Sequence, residues 1–371
     1  MCGIVGYIGK REAYPILIKG LHRLEYRGYD SAGCALMNDK GLHVYKAKGK
    51  VSDLEDVVMK ASSEGEDVTK SCTLGIAHTR WATHGVPSEV NAHPHVSESG
   101  RLTLVHNGII ENYATLREQL KKRGYHFKSE TDTEVLVQLI EYTQNLKQCS
   151  LSEAVRNALK LVFGAYAVAV IDANHPNELV CARKSSPLAI GVVEDHSEYF
   201  LASDASPIAE YTKQIIYLKD EEVAVVSRGK DIKIYNLQGE ETKGEVKEVN
   251  LDLSMLDHDG YDHFMLKEIF DQPNVLKDCM SGRIVESPYS SAYRGHEGPE
   301  SGLQVVLSAV TQHRRELLRA RRIIIVSCGT SWHAGLIGKQ YIEHFCRIPV
   351  EVAYASEFRY SDPVIEPDDD L

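Results

Sequence analysis

The sequence predicts an α+β fold for its first two thirds and the beginning of an α/β domain after that. Over residues 1–235, short β-rich runs outnumber helical segments and lie in pairs around turns such as Asn38–Gly41 and Ser227–Lys230, as antiparallel hairpins do. Locally paired strands indicate layered antiparallel sheets. Beyond residue 260 the pattern changes to long helical segments and a strand–helix–strand unit, which is the start of a doubly wound parallel sheet.

The spacing of apolar residues places the elements of the first domain. Runs rich in β-branched residues predict strands over residues 3–8, 33–37, 74–79, 102–106, 164–171, 178–183, 198–202, 214–218, 222–227 and 231–236. Helical spacing predicts helices over residues 12–24, 113–123, 132–145 and 151–162. Ser129 or Thr131 can cap the helix at 132–145, and Asp132 lies in its first turn near the positive end of the helix dipole.

A highly charged segment, residues 238–248 (QGEETKGEVKE), follows the last of these strands. We predict a first domain over residues 1–237, a linker over 238–260 and a second domain over 261–371. In the second domain the pattern predicts helices over 263–279, 302–320 and 332–346, and strands over 323–327 and 349–354. One crossover unit cannot close a stable open sheet, so we expect this second domain to be incomplete.

Composition excludes several classes of function. The net charge of −11 argues against a nucleic-acid partner. No apolar run approaches the ~20 residues of a membrane span, and no signal segment opens the chain. The eight cysteines contain no Cys-x-x-Cys pair, which indicates reduced thiols and a cytoplasmic protein. The spacing of His78, His84, His93, His95 and His106 does not match common zinc sites, so we predict no metal and no cofactor.

Cys2 is the most informative residue of the chain. Removal of the initiator methionine would leave a thiol and a free α-amine on adjacent carbons. The amine has an ordinary pKa of about 8, so it can take the proton of the thiol and act as its general base. The apolar, β-branched run at residues 3–8 predicts a buried strand rather than a frayed terminus. Cys2 is therefore a candidate nucleophile.

Other polar residues suit the binding and cleavage of glutamine, with ammonia as a product. Arg80 offers a bidentate guanidinium for an α-carboxylate, and Asp132 offers a carboxylate for an α-ammonium group. Asn107 and the backbone N–H of Gly108 are fitting donors for the oxyanion of an attacked amide. The alternatives are a surface ion pair for Arg80, a capping acid for Asp132 and a type I′ hairpin turn for Asn107-Gly108.

A second candidate site follows the predicted strand at 323–327. Cys328, Gly329, Thr330 and Ser331 form a small polar turn before a helix, where backbone N–H groups and hydroxyls can hold a phosphate. The turn lacks the Gly-Lys-Ser/Thr ending of a Walker loop and the Gly-x-Gly-x-x-Gly pattern, so nucleotide binding is not expected. The alternative is a turn of small residues that allows tight packing.

Long stretches of the sequence resemble the glutamine–fructose-6-phosphate aminotransferases, which make glucosamine 6-phosphate. They cover residues 1–9 (MCGIVGYIG), 23–33 (RLEYRGYDSAG), 75–85 (GIAHTRWATHG), 106–112 (HNGIIEN), 129–134 (SETDTE), 267–273 (KEIFDQP), 328–335 (CGTSWHAG) and 355–359 (ASEFR). The resemblance implies an N-terminal-nucleophile αββα sandwich of antiparallel sheets joined to a sugar-isomerase module. It also implies glutamine and fructose 6-phosphate as substrates, and a homodimer.

The resemblance also implies roles for single residues. Cys2 would be the glutaminase nucleophile, with Asn107 and Gly108 as the oxyanion hole. The glutamine-site residues would be Arg80, Thr83, His84, His93 and Asp132. Trp81 resembles the gate of an ammonia channel, and the loop carrying Arg27 resembles a lid. Cys328 to Ser331, including Gly329 and Thr330, would belong to the sugar-phosphate loop.

The second sugar-phosphate loop, the isomerase glutamate and histidine, and the Schiff-base lysine of the family are not present before Leu371. We therefore expect this chain to retain only the glutaminase half-reaction. Two alternatives stay open. One is another N-terminal-cysteine amidotransferase, which would need a different second domain. The other is a non-catalytic sugar-phosphate-binding module, which would retain Met1.

Overall fold

The computed structural model describes residues 2–65, 67–82, 85–249, 260–281, 283–286, 303–305, 307 and 313–366. The chain divides into two compact units, residues 1–264 and 265–371. The strands of the first unit, β1 to β15, are Gly3–Ile8, Ser31–Asn38, Gly41–Lys48, Leu74–Arg80, His95–Val96, Leu102–Ile110, Gly164–Asp172, Glu178–Lys184, Ala189–Val192, Tyr199–Ala202, Gln214–Tyr217, Glu222–Ser227, Lys233–Asn236, Glu241–Thr242 and Val246–Glu248. Its helices, α1 to α5, are Ala13–Leu24, Val51–Glu64, Tyr113–Lys121, Asp132–Lys147 and Leu151–Leu159.

These elements form two stacked antiparallel sheets between layers of helices. One sheet has the strand order β15-β11-β9-β10-β1-β4-β2-β3, and the other has the order β14-β13-β12-β8-β7-β6-β5. Apolar residues from both sheets, such as Ile4 and Ile76 from the first and Val105 and Ile171 from the second, make one core between them. Helices α1 and α2 cover the outer face of the first sheet, and α3 to α5 cover that of the second. The predicted αββα sandwich is confirmed.

The predicted linker is wrong over the part of it that the structure describes. Strand β14 pairs with β13 at the edge of the second sheet, and β15 pairs with β11 at the edge of the first. Residues 238–249 therefore belong to the sandwich, and their polar composition is typical of short edge strands, which keep charged residues on the exposed side. Residues 250–259 lie outside the described part.

The second unit contains the predicted strand–helix–strand arrangement. Helix α6 spans Phe264–Met280, strand β18 spans Ile323–Ser327, helix α8 spans Gly329–Cys346 and strand β19 spans Val350–Tyr354. Strands β18 and β19 pair in parallel, as a βαβ unit requires. The smaller elements are β16, Ile284–Glu286, β17, Leu303–Val305, α7, Arg314–Leu317, and α9, Ala355–Tyr360.

The helix predicted over residues 302–320 is only partly present among the described residues of this range. Residues 303–305 form β17, which pairs antiparallel with β16, and only Arg314–Leu317 is helical within the described residues of this range. Among the described helices, none combines the length and the apolar character needed to span a bilayer.

Candidate active site

Cys2 is fixed at the end of an inner strand of the first sheet. It precedes β1, which is flanked by β10 and β4, and the pairing of Gly3 with Thr79 places it beside the end of β4. The backbone N–H of Trp81 donates to the Cys2 sulfur at 3.2 Å. A side chain at Gly3 would lie 2.7 Å from the Thr79 hydroxyl, so the strand starts in a tightly packed position.

The surroundings of the thiol affect its ionisation in opposite directions. Burial raises the pKa of the Cys2 thiol, while the Trp81 N–H and the charge of Arg80 act to lower it. Because burial is the largest of these effects, the thiol needs a base to become a nucleophile. An α-amine on the same residue would be in position to act as that base.

Asn107 faces Cys2 from the other sheet. Its side-chain nitrogen donates to the Cys2 carbonyl oxygen at 3.0 Å, and its side-chain oxygen lies 2.9 Å from Nε2 of His78. Asn107 and Gly108 lie inside β6, paired with Ala167 and Tyr166 of β7, so the hairpin-turn interpretation is wrong.

Gly108 is required by the backbone at this point. Its φ of +132° is one that side chains rarely allow, and a Cβ there would lie 2.1 Å from the Ala165 carbonyl oxygen. The Ala165 backbone occupies the space that a side chain at position 108 would need, so only glycine fits beside Asn107. A side-chain amide and a backbone N–H on adjacent residues are the kind of donor pair that an oxyanion needs.

Arg80 and Asp132 are both buried, at 4% exposure each. Arg80 ends β4, and its guanidinium donates to the Gly85 carbonyl at 3.2 Å and lies 3.9 Å from the Asp30 carboxylate. Asp132 begins α4 and accepts the backbone N–H of Ile110 at 2.8 Å. Neither residue lies on the surface, so the alternative interpretation of Arg80 as part of a surface ion pair is wrong.

Asp30 also belongs to the candidate site, although it was not among the residues predicted from the sequence. Its carboxylate accepts the backbone N–H of Ala82, and its own backbone N–H donates to the Arg80 carbonyl at 2.7 Å. It therefore fixes the segment that contacts the thiol. Its place within the family-like stretch 23–33 was the only signal in the sequence.

Trp81 is 55% exposed and stands next to the loop after α1. A Cβ at Gly28 would lie 2.4 Å from the indole ring, so the loop and the ring are in close contact. Arg27 closes the short 3₁₀ helix Glu25–Arg27. The Arg27 side chain and the whole of Thr83 and His84 lie outside the described part of the structure.

A group of buried histidines lies behind Asn107. The rings of His78 and His93 stack with centroids 4.1 Å apart, and His95 packs edge-on against His93 at 5.0 Å. Burial lowers the pKa of His78 to about 3 and places the pKa values of His93 and His95 well below the ordinary range. The three rings are therefore neutral. Within the described residues, no group of three or more potential ligands could hold a metal ion.

We expect the melting temperature to fall as the pH is lowered from about 7 to about 5. Each buried ring has a folded-state pKa below the unfolded value of about 6.5, so below that pH the unfolded chain binds protons that the folded chain does not. The free energy of unfolding is therefore highest above pH ~6.5. It decreases as the pH falls, by up to about 1.4 kcal/mol per pH unit for each ring. Unfolding of a His93→Gln variant at several pH values should show a shallower slope, and an unchanged slope would contradict this explanation.

The candidate phosphate loop lies in the second unit. Cys328 is the N-cap of α8, so Gly329, Thr330 and Ser331 form its first turn, and Gly329 has a φ of +59°. Cys328, Thr330 and Ser331 are exposed. The helix starts three residues before the predicted residue 332, and the backbone N–H groups of its first turn can donate to an anion.

Two family models match parts of the chain. The family described as "Glutamine amidotransferase domain" matches residues 78–210, and the SIS domain matches residues 316–370. Named glutamine–fructose-6-phosphate aminotransferases are 60% identical over 371 residues in Bacteroides thetaiotaomicron and 49% identical over 370 residues in Chlorobaculum tepidum, and both cover 100% of the chain. The chain is therefore similar over its whole length to the glutamine–fructose-6-phosphate aminotransferases. It spans about half the length of these curated relatives, 56% and 57% respectively.

Solved structures show the same fold at greater distance. The glutamine phosphoribosylpyrophosphate amidotransferase of B. subtilis is 23% identical, with a TM-score of 0.51 over 95% of this chain and 65% of that one. An allosteric regulatory enzyme of purine biosynthesis is 22% identical, with a TM-score of 0.50 over the same shares of the two chains. These likenesses confirm the N-terminal-nucleophile amidotransferase fold of the first unit.

Proposed function

We propose that this chain hydrolyses glutamine to glutamate and ammonia, with Cys2 as the nucleophile. The observation that carries the proposal is the arrangement of Cys2 and Asn107. The thiol lies at the start of a buried strand, and the side-chain amide of Asn107 is held 3.0 Å from the carbonyl of the same residue. That amide nitrogen has a second hydrogen, which is available to an oxyanion formed at the thiol.

The reaction proceeds through a thioester. The Cys2 amine takes the thiol proton, and the thiolate attacks the carbonyl carbon of the glutamine side-chain amide. Asn107 and the Gly108 N–H stabilise the oxyanion, which collapses as the ammonium group returns its proton to the leaving nitrogen. Ammonia leaves and a γ-glutamyl thioester remains. The amine then deprotonates a water molecule that attacks the thioester, which releases glutamate and restores the thiol.

We further propose that the ammonia serves the synthesis of glucosamine 6-phosphate from fructose 6-phosphate in the whole protein. The names of the relatives and the SIS match at residues 316–370 support this proposal. In it, Cys328 to Ser331 hold the sugar phosphate, Trp81 gates the passage of ammonia, and Arg27, Thr83, His84 and His93 complete the glutamine site. The protein would act in the cytoplasm as a homodimer.

The SIS match also bears on the alternatives. An amidotransferase that feeds phosphoribosyl diphosphate or aspartate would need a different second domain, so the match favours a sugar phosphate. A non-catalytic module would have no use for a buried Arg80 and an oriented Asn107 beside one thiol. Release of glutamate from glutamine, with no release of aspartate from asparagine, tests the glutaminase proposal, and an inactive chain that begins at Cys2 would contradict it.

Arg80→Lys should lower kcat/KM for glutamine by the equivalent of about 2 kcal/mol or more, because lysine cannot form the bidentate contact with a carboxylate. Asp132→Asn should also lower it, by removing the partner of the α-ammonium group. Steady-state kinetics with Arg123→Lys, at an exposed position, provide the matched control. If both site variants kept the wild-type kcat/KM, the amino-acid end of glutamine would have to bind elsewhere.

A further inference from the structure

His78 connects the two sheets at the back of the thiol site. It lies on β4 of the first sheet, fully buried, and its Nε2 atom is 2.9 Å from the side-chain oxygen of Asn107 on β6 of the second sheet. The same Asn107 side chain donates from its nitrogen to the Cys2 carbonyl at 3.0 Å. One amide thus bridges an imidazole and the nucleophilic residue.

The chemistry of these three groups allows one orientation of the amide. The Cys2 carbonyl can only accept a hydrogen bond, so it must face the NH₂ group of Asn107. The Asn107 oxygen then points at His78, and a bond at 2.9 Å requires a hydrogen on Nε2. Turning the amide over would place two acceptors together at Cys2 and two donors together at His78.

We propose that His78 is a positioning residue for glutamine hydrolysis, which holds the Asn107 amide with its N–H groups toward the reacting carbonyl oxygen. This inference rests on the proposed glutaminase function. An oxyanion donor is useful only if it already points at the place where charge develops. Without His78, the Cys2 carbonyl would be the only one of these two groups that still holds the amide in this orientation, so the amide would point less constantly at the oxyanion.

The surroundings of His78 keep this contact constant. The His93 ring stacks on it at 4.1 Å, which fixes the plane of the imidazole, and burial lowers the pKa of His78 to about 3. The ring therefore stays neutral through the pH range in which the Cys2 amine works as a base, and the contact with the Asn107 oxygen keeps its single hydrogen on Nε2. Its contribution should not appear as a titration in the pH profile of kcat.

Kinetics of two matched variants test the role of the donor. His78→Leu removes it, and His78→Gln places an amide N–H near the position of Nε2. We expect His78→Leu to lower kcat by about tenfold or more, with KM nearly unchanged, since a lost hydrogen bond to a positioned group is worth about that factor. His78→Gln should recover most of the loss. His126→Leu, at a ring that is 83% exposed, should behave as wild type.

Three outcomes would overturn the proposal: wild-type kcat in His78→Leu, a change confined to KM, or a folded His78→Gln variant as slow as His78→Leu. The tautomer provides a readout that needs neither activity nor a folded variant. In the full chain labelled with ¹⁵N-histidine, the His78 signal should show a neutral ring protonated on Nε2 from about pH 8 to about pH 5. An Nδ1-protonated ring would overturn the proposal. A chain that shows the Nε2 tautomer but does not hydrolyse glutamine would refute the glutaminase function instead.

Discussion

Cys2→Ala protein should release no glutamate from glutamine above the uncatalysed rate. Alanine keeps the α-amine and the strand but removes the sulfur, so no thioester can form. Cys2→Ser should retain only a small fraction of the activity, because an alkoxide is far harder to generate than a thiolate at neutral pH. Glutamate and ammonia should be measured together, since both must be lost to the same extent.

The other cysteines provide the control for this experiment. Cys279 is exposed and lies in α6, outside the amidotransferase sandwich, so Cys279→Ala should keep the wild-type rate. Hydrolysis at the wild-type rate by Cys2→Ala protein would show that Cys2 is not the nucleophile, and the active site would have to lie elsewhere.

Asn107→Ala should lower kcat for glutamine hydrolysis by about 10²–10³-fold, the usual effect of losing one oxyanion donor. KM should change less, because the carbonyl oxygen of bound glutamine forms a weaker hydrogen bond with this donor than the oxyanion does. Asn177→Ala, at an exposed turn position, is the matched control.

The thermal stability of the Asn107→Ala protein must be measured beside its kinetics. The substitution removes hydrogen bonds to the Cys2 carbonyl and to His78, so a lower melting temperature is expected as well. A variant that melts well above the assay temperature and still has the wild-type kcat would show that Asn107 does not stabilise the transition state.

The sequence predicted the layered fold well because most of its buried strands carry a clear apolar pattern. Strands such as β1, β7 and β12 consist of apolar, β-branched runs that burial requires, and their bounds agree with the prediction. Strand β3 and helix α2 were missed. Strand β3 lies at an edge and is half-buried along most of its length, and α2 buries only Val51, Leu54 and Val58, so neither has a strong apolar signal.

The prediction was weakest where non-local pairing decides the structure. Strands β14 and β15 were assigned to a linker because their sequence is charged, yet the edges of the two sheets hold them in place. The prediction of a helix at residues 303–305 was wrong for a similar reason, because these residues pair with residues 284–286. Helical spacing of apolar residues carries no information about such a partner.

The candidate site was predicted as a set of residues, but not as a geometry. Cys2, Arg80, Asn107 and Asp132 could be chosen because each has a chemical type that glutamine hydrolysis needs. The contacts of Asp30 and His78 could not be foreseen, since they depend on the register of β4 and on the way one sheet faces the other.

The central claim is that a cysteine with a free α-amine cleaves glutamine in this fold. The most direct test is glutamate release by two forms of the chain, one beginning at Cys2 and one carrying an extra residue before it, with the N-terminus of each verified by intact mass. We predict full activity for the first form and activity near background for the second, restored when a protease removes the extension to expose Cys2. Equal rates for the two forms would contradict the claim, because the extension leaves the thiol in place and changes only the base.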